Sequence, residues 1–203
     1  MSLEILLFII PALILSIIVH EVAHGYAALF LGDKTALHAG RLTVNPIPHI
    51  DPIGSIALPI LTSFAGFFFG YAKPVPYDPR NLNNKKWGEA IVAFAGPFSN
   101  IVIALVFAAV YQTGILSGYG EAVLTGVFFI IFANLFLAFL NLIPVAPLDG
   151  SKILFALLPY KWMCIRNWME RYQLFLIIAV IFVLLNVPIF GQSVLNLAQL
   201  LMS

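Results

Sequence analysis

Ile17-Ile18-Val19-His20-Glu21-Val22-Ala23-His24-Gly25-Tyr26-Ala27-Ala28 sets two imidazoles and a carboxylate inside a run that otherwise reads as lipid-soluble, Leu3 to Leu31. The run exceeds the roughly 20 helical residues that cross a hydrocarbon core of about 30 Å. On a helix, positions four apart share a face, so His20 and His24 can turn a ring nitrogen towards one metal ion. Glu21 follows the first histidine directly and can reach a metal-activated water. Zinc hydrolases use this arrangement. Packing alone explains it poorly, because an ionisable group within a span costs about 2.5 to 3.5 kcal/mol on insertion scales and by default marks function.

Composition supports the membrane reading: 62% of the 203 residues are hydrophobic and 9% are charged, against about 25% charged in soluble domains. We read one integral membrane domain over residues 1–203, without internal repeats, low-complexity tracts or a charged tail. A net charge of +1 gives no reason to expect nucleic acid as a partner, and the lone Cys164 excludes an internal disulfide framework. Met1-Ser2-Leu3-Glu4 lacks the positive start of a cleaved signal peptide.

Outward from the histidines, Gly32-Asp33-Lys34 ends the first helix, and Ala36 to Pro46 reads as a short extended, β-like segment around Gly40. Leu37 to Val44 would offer an edge on which an extended chain could pair. Asn45 to Pro52 is a proline-rich loop, and Pro52 to Tyr71 is an apolar run broken by Gly54, Pro59, Gly66 and Gly70. Ala90 to Gln112 is a span with an expected kink at Gly96-Pro97, where Asn100 would satisfy backbone freed by the break. Glu121 to Leu142 is a further span, Lys152 to Arg171 a polar, aromatic surface stretch, Leu174 to Val187 the last strong span and Ser193 to Met202 a short apolar tail. The fold class is thus an all-α polytopic membrane protein of about four to six transmembrane or re-entrant helices.

Basic residues order the topology. Lys34 and Arg41 precede the Pro52 run, Lys73, Arg80, Lys85 and Lys86 follow it, and the turn at Ser117 to Gly120 has none. If Pro52 to Tyr71 dips in and returns, these basic loops share the cytoplasmic side of the cell membrane with the histidines, which is the expected arrangement.

A third metal ligand has to come from elsewhere, and Asp149, Asp51, His49 and His38 are the candidates. Asp149 fits best, because it follows a spanning helix whose end returns to the side of His20 and His24.

At this point the chain resembles the site-2 protease family of intramembrane zinc metalloproteases. The resemblance rests on His20 to His24, on Ala95-Gly96-Pro97-Phe98-Ser99-Asn100, and on Asn141-Leu142-Ile143-Pro144-Val145-Ala146-Pro147-Leu148-Asp149-Gly150. Asn45 to Gly54 and Ala72-Lys73-Pro74-Val75-Pro76 look like a compact prokaryotic branch that lacks a PDZ-like insertion. Ala146 stands where that family usually has proline, a change that removes no ligand. The resemblance implies one zinc ion per chain on His20, His24 and Asp149, with Glu21 as general base. It further implies hydrolysis of peptide bonds in or near transmembrane segments of membrane protein substrates, in contact with membrane lipid. Asn141 is the candidate donor to a developing oxyanion, its alternative being a helix-packing amide. The competing class is a membrane protein that binds or transports zinc without proteolysis; Glu21 argues against it, since transport needs no carboxylate there. The sequence does not indicate an oligomeric state.

Overall fold

The computed structural model describes residues 3–64 and 72–203, and its elements are helical throughout. The first helix, α1 (Leu3–Phe30), is closed by Gly32, whose φ of 101° suits a glycine just past a helix end. Short helices α2 (Thr35–His38) and α3 (Leu58–Phe64) follow, with a π-helical turn at Pro52–Ala57 leading directly into α3. Then come α4 (Gly88–Gln112) and α5 (Glu121–Asn141). The chain ends with α6 (Asp149–Leu157), α7 (Met163–Arg171), α8 (Gln173–Asn186) and α9 (Ile189–Met202).

Among the described residues, three helices are long and apolar enough to cross a membrane: Ile9–Phe30 within α1, then α4 and α5. The pair α7 and α8 adds a fourth if counted as one broken span, bent by 78°. α4 is the hub, packing against α1, α5, α6 and α9. The reason is in its sequence: Gly88, Val92, Gly96, Asn100, Ala104 and Ala108 recur every four residues on its buried face. Where lipid gives no hydrophobic drive to association, such a stripe lets helix backbones approach closely. Asn84 closes the turn that leads into the helix, its side chain accepting from the Lys86 and Trp87 N–H groups.

Two expectations are corrected. No strand forms among the described residues, so the β-like segment is absent: Thr35–His38 is helical and the chain from Gly40 to Pro46 is irregular. Asp33 accounts for the helical turn by accepting from both the Thr35 N–H and its hydroxyl, a local geometry that competes with extended chain. The tail is longer and more central than its apolar run suggests. α9 starts at Ile189, and its Val194 and Ala198 are buried with Ala104, Ala108, Ile131 and Leu135 of α4 and α5.

The excursion after His49 is closed at its base. The Lys73 N–H donates to the His49 carbonyl at 2.9 Å, and the Arg41 guanidinium donates to the Lys73 carbonyl at 2.7 Å. A segment whose two ends meet has not made a single crossing of about 30 Å, which agrees with the re-entrant reading. Residues 65–71 of that segment lie outside the described residues. The loops after α1 and before α4 are also joined. Asn83 N–H donates to the Leu31 carbonyl at 2.7 Å, and Asp33 accepts from Asp78 N–H at 2.8 Å and Asn81 Nδ2 at 3.0 Å.

Asp33 is fully buried. Burial disfavours its charge, but the donors from Thr35, Asn81 and Asp78 outweigh that and hold its carboxyl below the usual range. A depressed folded-state pKa means the stabilisation is present above the unfolded value and lost as pH falls through the folded one. Asp33→Asn is therefore expected to destabilise the fold by about 1.5 to 3 kcal/mol near neutrality. The difference should shrink on acidification below about pH 4, as thermal unfolding at a series of pH values would show.

Candidate metal centre

The second half of α1 carries both histidines, buried against α4. His20 and His24 lie ten and six residues before Phe30, so roughly 15 and 9 Å below the end of the helix at 1.5 Å per residue. Each ring is oriented through Nδ1. His20 Nδ1 donates to Asn100 Oδ1 at 3.1 Å, and His24 Nδ1 donates to the Val92 carbonyl at 2.7 Å. Both acceptors belong to the small-residue face of α4, which is how close helix approach becomes ring orientation.

With Nδ1 protonated, each neutral imidazole presents a lone pair at Nε2. The two Nε2 atoms lie 3.1 Å apart, and each lies 3.2 Å from Asp149 Oδ2. Three acceptor atoms facing one another repel unless a cation lies among them. Their spacing fits one, since ligand bonds of about 2.0 to 2.1 Å in tetrahedral geometry put ligand atoms roughly 3.3 Å apart. Among the described residues, His20, His24 and Asp149 form the group whose ligand atoms converge in this way.

Asp149 is delivered by a turn that doubles back from the end of α5. Gly150 lies against the Leu142 and Ile143 carbonyls, where a Cβ would fall 2.5 Å from the latter oxygen. Ala146, the departure from the family pattern, is buried in this turn ahead of a cis Ala146-Pro147 bond. Lys152, one turn along α6, brings Nζ to 3.9 Å from Asp149 Oδ1 and lies over the Tyr77 ring.

Glu21 points to a different partner. Its Oε2 accepts the Val75 N–H at 2.9 Å, so the segment around Lys73-Pro74-Val75-Pro76 crosses beside the histidines and fixes this carboxylate. Sequence reasoning missed this backbone donor, which no residue identity signals. The expected role of Asn100 is corrected as well, because its side chain orients His20 and does not repair a kinked backbone. The clue was available, since Asn100 is the polar member of an otherwise apolar or small stripe. Asn100→Ala is expected to weaken zinc binding by about 10- to 100-fold while leaving helical content intact, as competition with a chromogenic chelator would measure.

The other sequence candidates lie elsewhere. His49 Nε2 faces the Thr43 carbonyl at 2.8 Å, Asp51 accepts from Ile53 and Gly54 N–H groups, and His38 ends α2. Asn141 donates to the Leu137 carbonyl one turn back on its own helix. Asn134 donates to Ser16 Oγ at 3.0 Å, tying α5 to α1.

The family model described as Peptidase family M50 matches residues 118–186, the part that includes the Asn141 to Gly150 motif. The chain is 37% identical over 184 residues to a protein of Bacillus subtilis (strain 168) provisionally named zinc metalloprotease YwhC, covering 87% of this chain and 80% of that relative. It is 29% identical over 145 residues to Rip2 of Mycolicibacterium smegmatis, provisionally named a zinc metalloprotease as well, covering 71% of this chain and 54% of Rip2. Rip2 of Mycobacterium tuberculosis (strain H37Rv) is 30% identical over 147 residues, covering 72% and 55%. The chain thus spans about half the length of Rip2. No solved structure matches. A convergent donor set within apolar helices, and a relative that aligns with most of the chain, lead to one assignment: this protein belongs to peptidase family M50, the site-2 protease family of intramembrane zinc metalloproteases.

Proposed function

We propose that His20, His24 and Asp149 hold a single zinc ion per chain and that Glu21 is the general base of peptide hydrolysis in membrane-spanning substrates. The observation that carries this reading is the meeting of three acceptor atoms at 3.1 to 3.2 Å, with Asn100 and Val92 orienting the rings. Zinc, when bound there, supplies Lewis acidity at the reacting carbonyl and at water. The chain supplies the rest. Val75 N–H engages one oxygen of Glu21, which restrains the carboxylate that takes the proton from water and passes it to the departing amine. Asn141, on the last turn of α5, would have to release the Leu137 carbonyl to donate to a developing oxyanion.

Histidines roughly 9 to 15 Å from a helix end require substrate to enter at membrane depth. A helical substrate hides its peptide bonds in internal hydrogen bonds, so the cleaved stretch must unwind first. All of this lies within one domain, residues 1–203. Incubation of the purified protein with single-span model substrates, with and without a chelator, tests the reading. Cleavage that survives complete zinc removal would sink it. We expect elemental analysis to give one zinc per chain, lost on substituting His24→Ala together with Asp149→Ala.

The active site is assigned to the cytoplasmic side of the cell membrane. The ties between Leu31 and Asn83, and between Asp33 and Asn81, put the basic loops with Lys34 and Lys85 together. In a Cys164→Ser background, single cysteines replacing Lys34, Lys85 and Ser117 are expected to react with an impermeant reagent in intact cells at position 117 alone. Reaction at position 85 would reverse the assignment.

A further inference from the structure

We propose that a basic cleft between the start of α4, α6 and α7 binds the headgroup of an anionic phospholipid. The cleft has a volume of about 230 Å³ and is lined by Lys85, Lys86, Lys152 and Arg166, with Glu89 as its carboxylate and Phe155 and Trp162 among its apolar surfaces. Four cations face one acid. Arg166 is held in place, donating to Glu89 at 3.2 Å and to Glu170 at 2.8 Å while its guanidinium lies over the Phe155 ring. Its charge is thus largely answered, and the surplus rests on the lysines. Lys86 makes no ion pair among the described residues and lies over the Trp87 ring. Lys152 lies over the Tyr77 ring, with its Nζ 3.9 Å from Asp149 Oδ1.

The position of the cleft points to a lipid. α8 buries none of its residues, and Leu174, Phe175, Ile178 and Phe182 are all exposed, as suits a helix surrounded by hydrocarbon. α7 meets it at 78°, so α7 runs nearly along the membrane surface, with Arg166 and Arg171 on it and the exposed Trp162 and Trp168 at interfacial depth. A cleft there has cations on one side and aromatic and aliphatic surface on the other. Inorganic phosphate would use only the cations. A phospholipid uses both, with its phosphate among the lysines and its glycerol and upper chains against Phe155 and Trp162. Lipid binding here is independent of the protease reading, although Lys152 brings the cleft within 3.9 Å of Asp149.

Trp162 provides the probe. The full-length chain carrying Trp87→Phe and Trp168→Phe is reconstituted in phosphatidylcholine bilayers containing a small, equal fraction of brominated phosphatidylglycerol or brominated phosphatidylcholine. Quenching of Trp162 is expected to be roughly fivefold or more stronger with the anionic lipid at equal fraction. Lys85→Gln with Lys86→Gln should bring the two lipids to parity, with circular dichroism and zinc content monitoring the fold. Lys86→Ser alone, at an exposed site, is the milder variant and should lower the preference measurably. Equal quenching by the two lipids, or a preference that survives both lysine variants, overturns the proposal. Recovery of fluorescence on adding millimolar glycerol phosphate would assign the cleft to soluble phosphates instead, and recovery with an acidic peptide would assign it to a protein partner.

Discussion

Glu21→Gln is expected to keep its zinc and lose roughly 10²- to 10⁴-fold of its cleavage rate. The amide matches the carboxylate in shape and can still accept the Val75 N–H through its oxygen, so the segment beside it should stay in place. What disappears is the ability to take a proton from water. Glu21 also lies outside the three converging donor atoms, so the candidate ligand set is left intact. The measurement is a pair: zinc content by elemental analysis and turnover of a single-span substrate. Full zinc with near-normal turnover would make Glu21 a bystander, whereas loss of zinc would make it structural.

Gly96→Ala should have the opposite signature, failing at the metal before it fails at the chemistry. A Cβ at position 96 would fall 2.6 Å from His20 Nε2 and would also overlap His24 Nε2, where atoms of real side chains do not approach. The methyl group would occupy the edge of the site itself, and the rings cannot retreat without surrendering their bonds to Asn100 and Val92. Zinc affinity is expected to fall by more than about 10-fold, and cleavage with it. Gly118→Ala is the matched control, because a Cβ there meets nothing within 4 Å. Normal zinc affinity in the position 96 variant would show that the helices separate more easily than their packing suggests.

Much of this site was legible in the sequence because the membrane makes polar residues conspicuous. His20, Glu21 and His24 stand out within an apolar run, and Asp149 was preferred from its place after a span, with His38, His49 and Asp51 left open. The structure brings Asp149 to the histidines and gives His49 and Asp51 local partners. The less legible parts are those made by backbone. Val75 contributes an N–H and Val92 a carbonyl, groups that every such residue carries, so side-chain identity could not reveal them. The β-like reading of Ala36 to Pro46 failed for a related reason. Apolar residues such as Leu37, Leu42 and Val44 imply a strand only when another strand is available to pair, and here Arg41 instead binds the carbonyls of Lys73 and Pro74. The tail was underestimated because Gly191, Gln192, Asn196 and Gln199 dilute its apolar character, while Val194 and Ala198 are its contact residues.

The closure between His49 and Lys73 makes the intervening stretch a detachable module. Its two ends already meet at 2.9 Å, so a short linker from residue 50 to residue 72 would preserve the same stem. Insertions joined to their host at one narrow stem can be exchanged between proteins or diversified independently, because their length is hidden from the scaffold. Changes of length and sequence could then accumulate in this appendage while His20, His24 and Asp149 keep their arrangement.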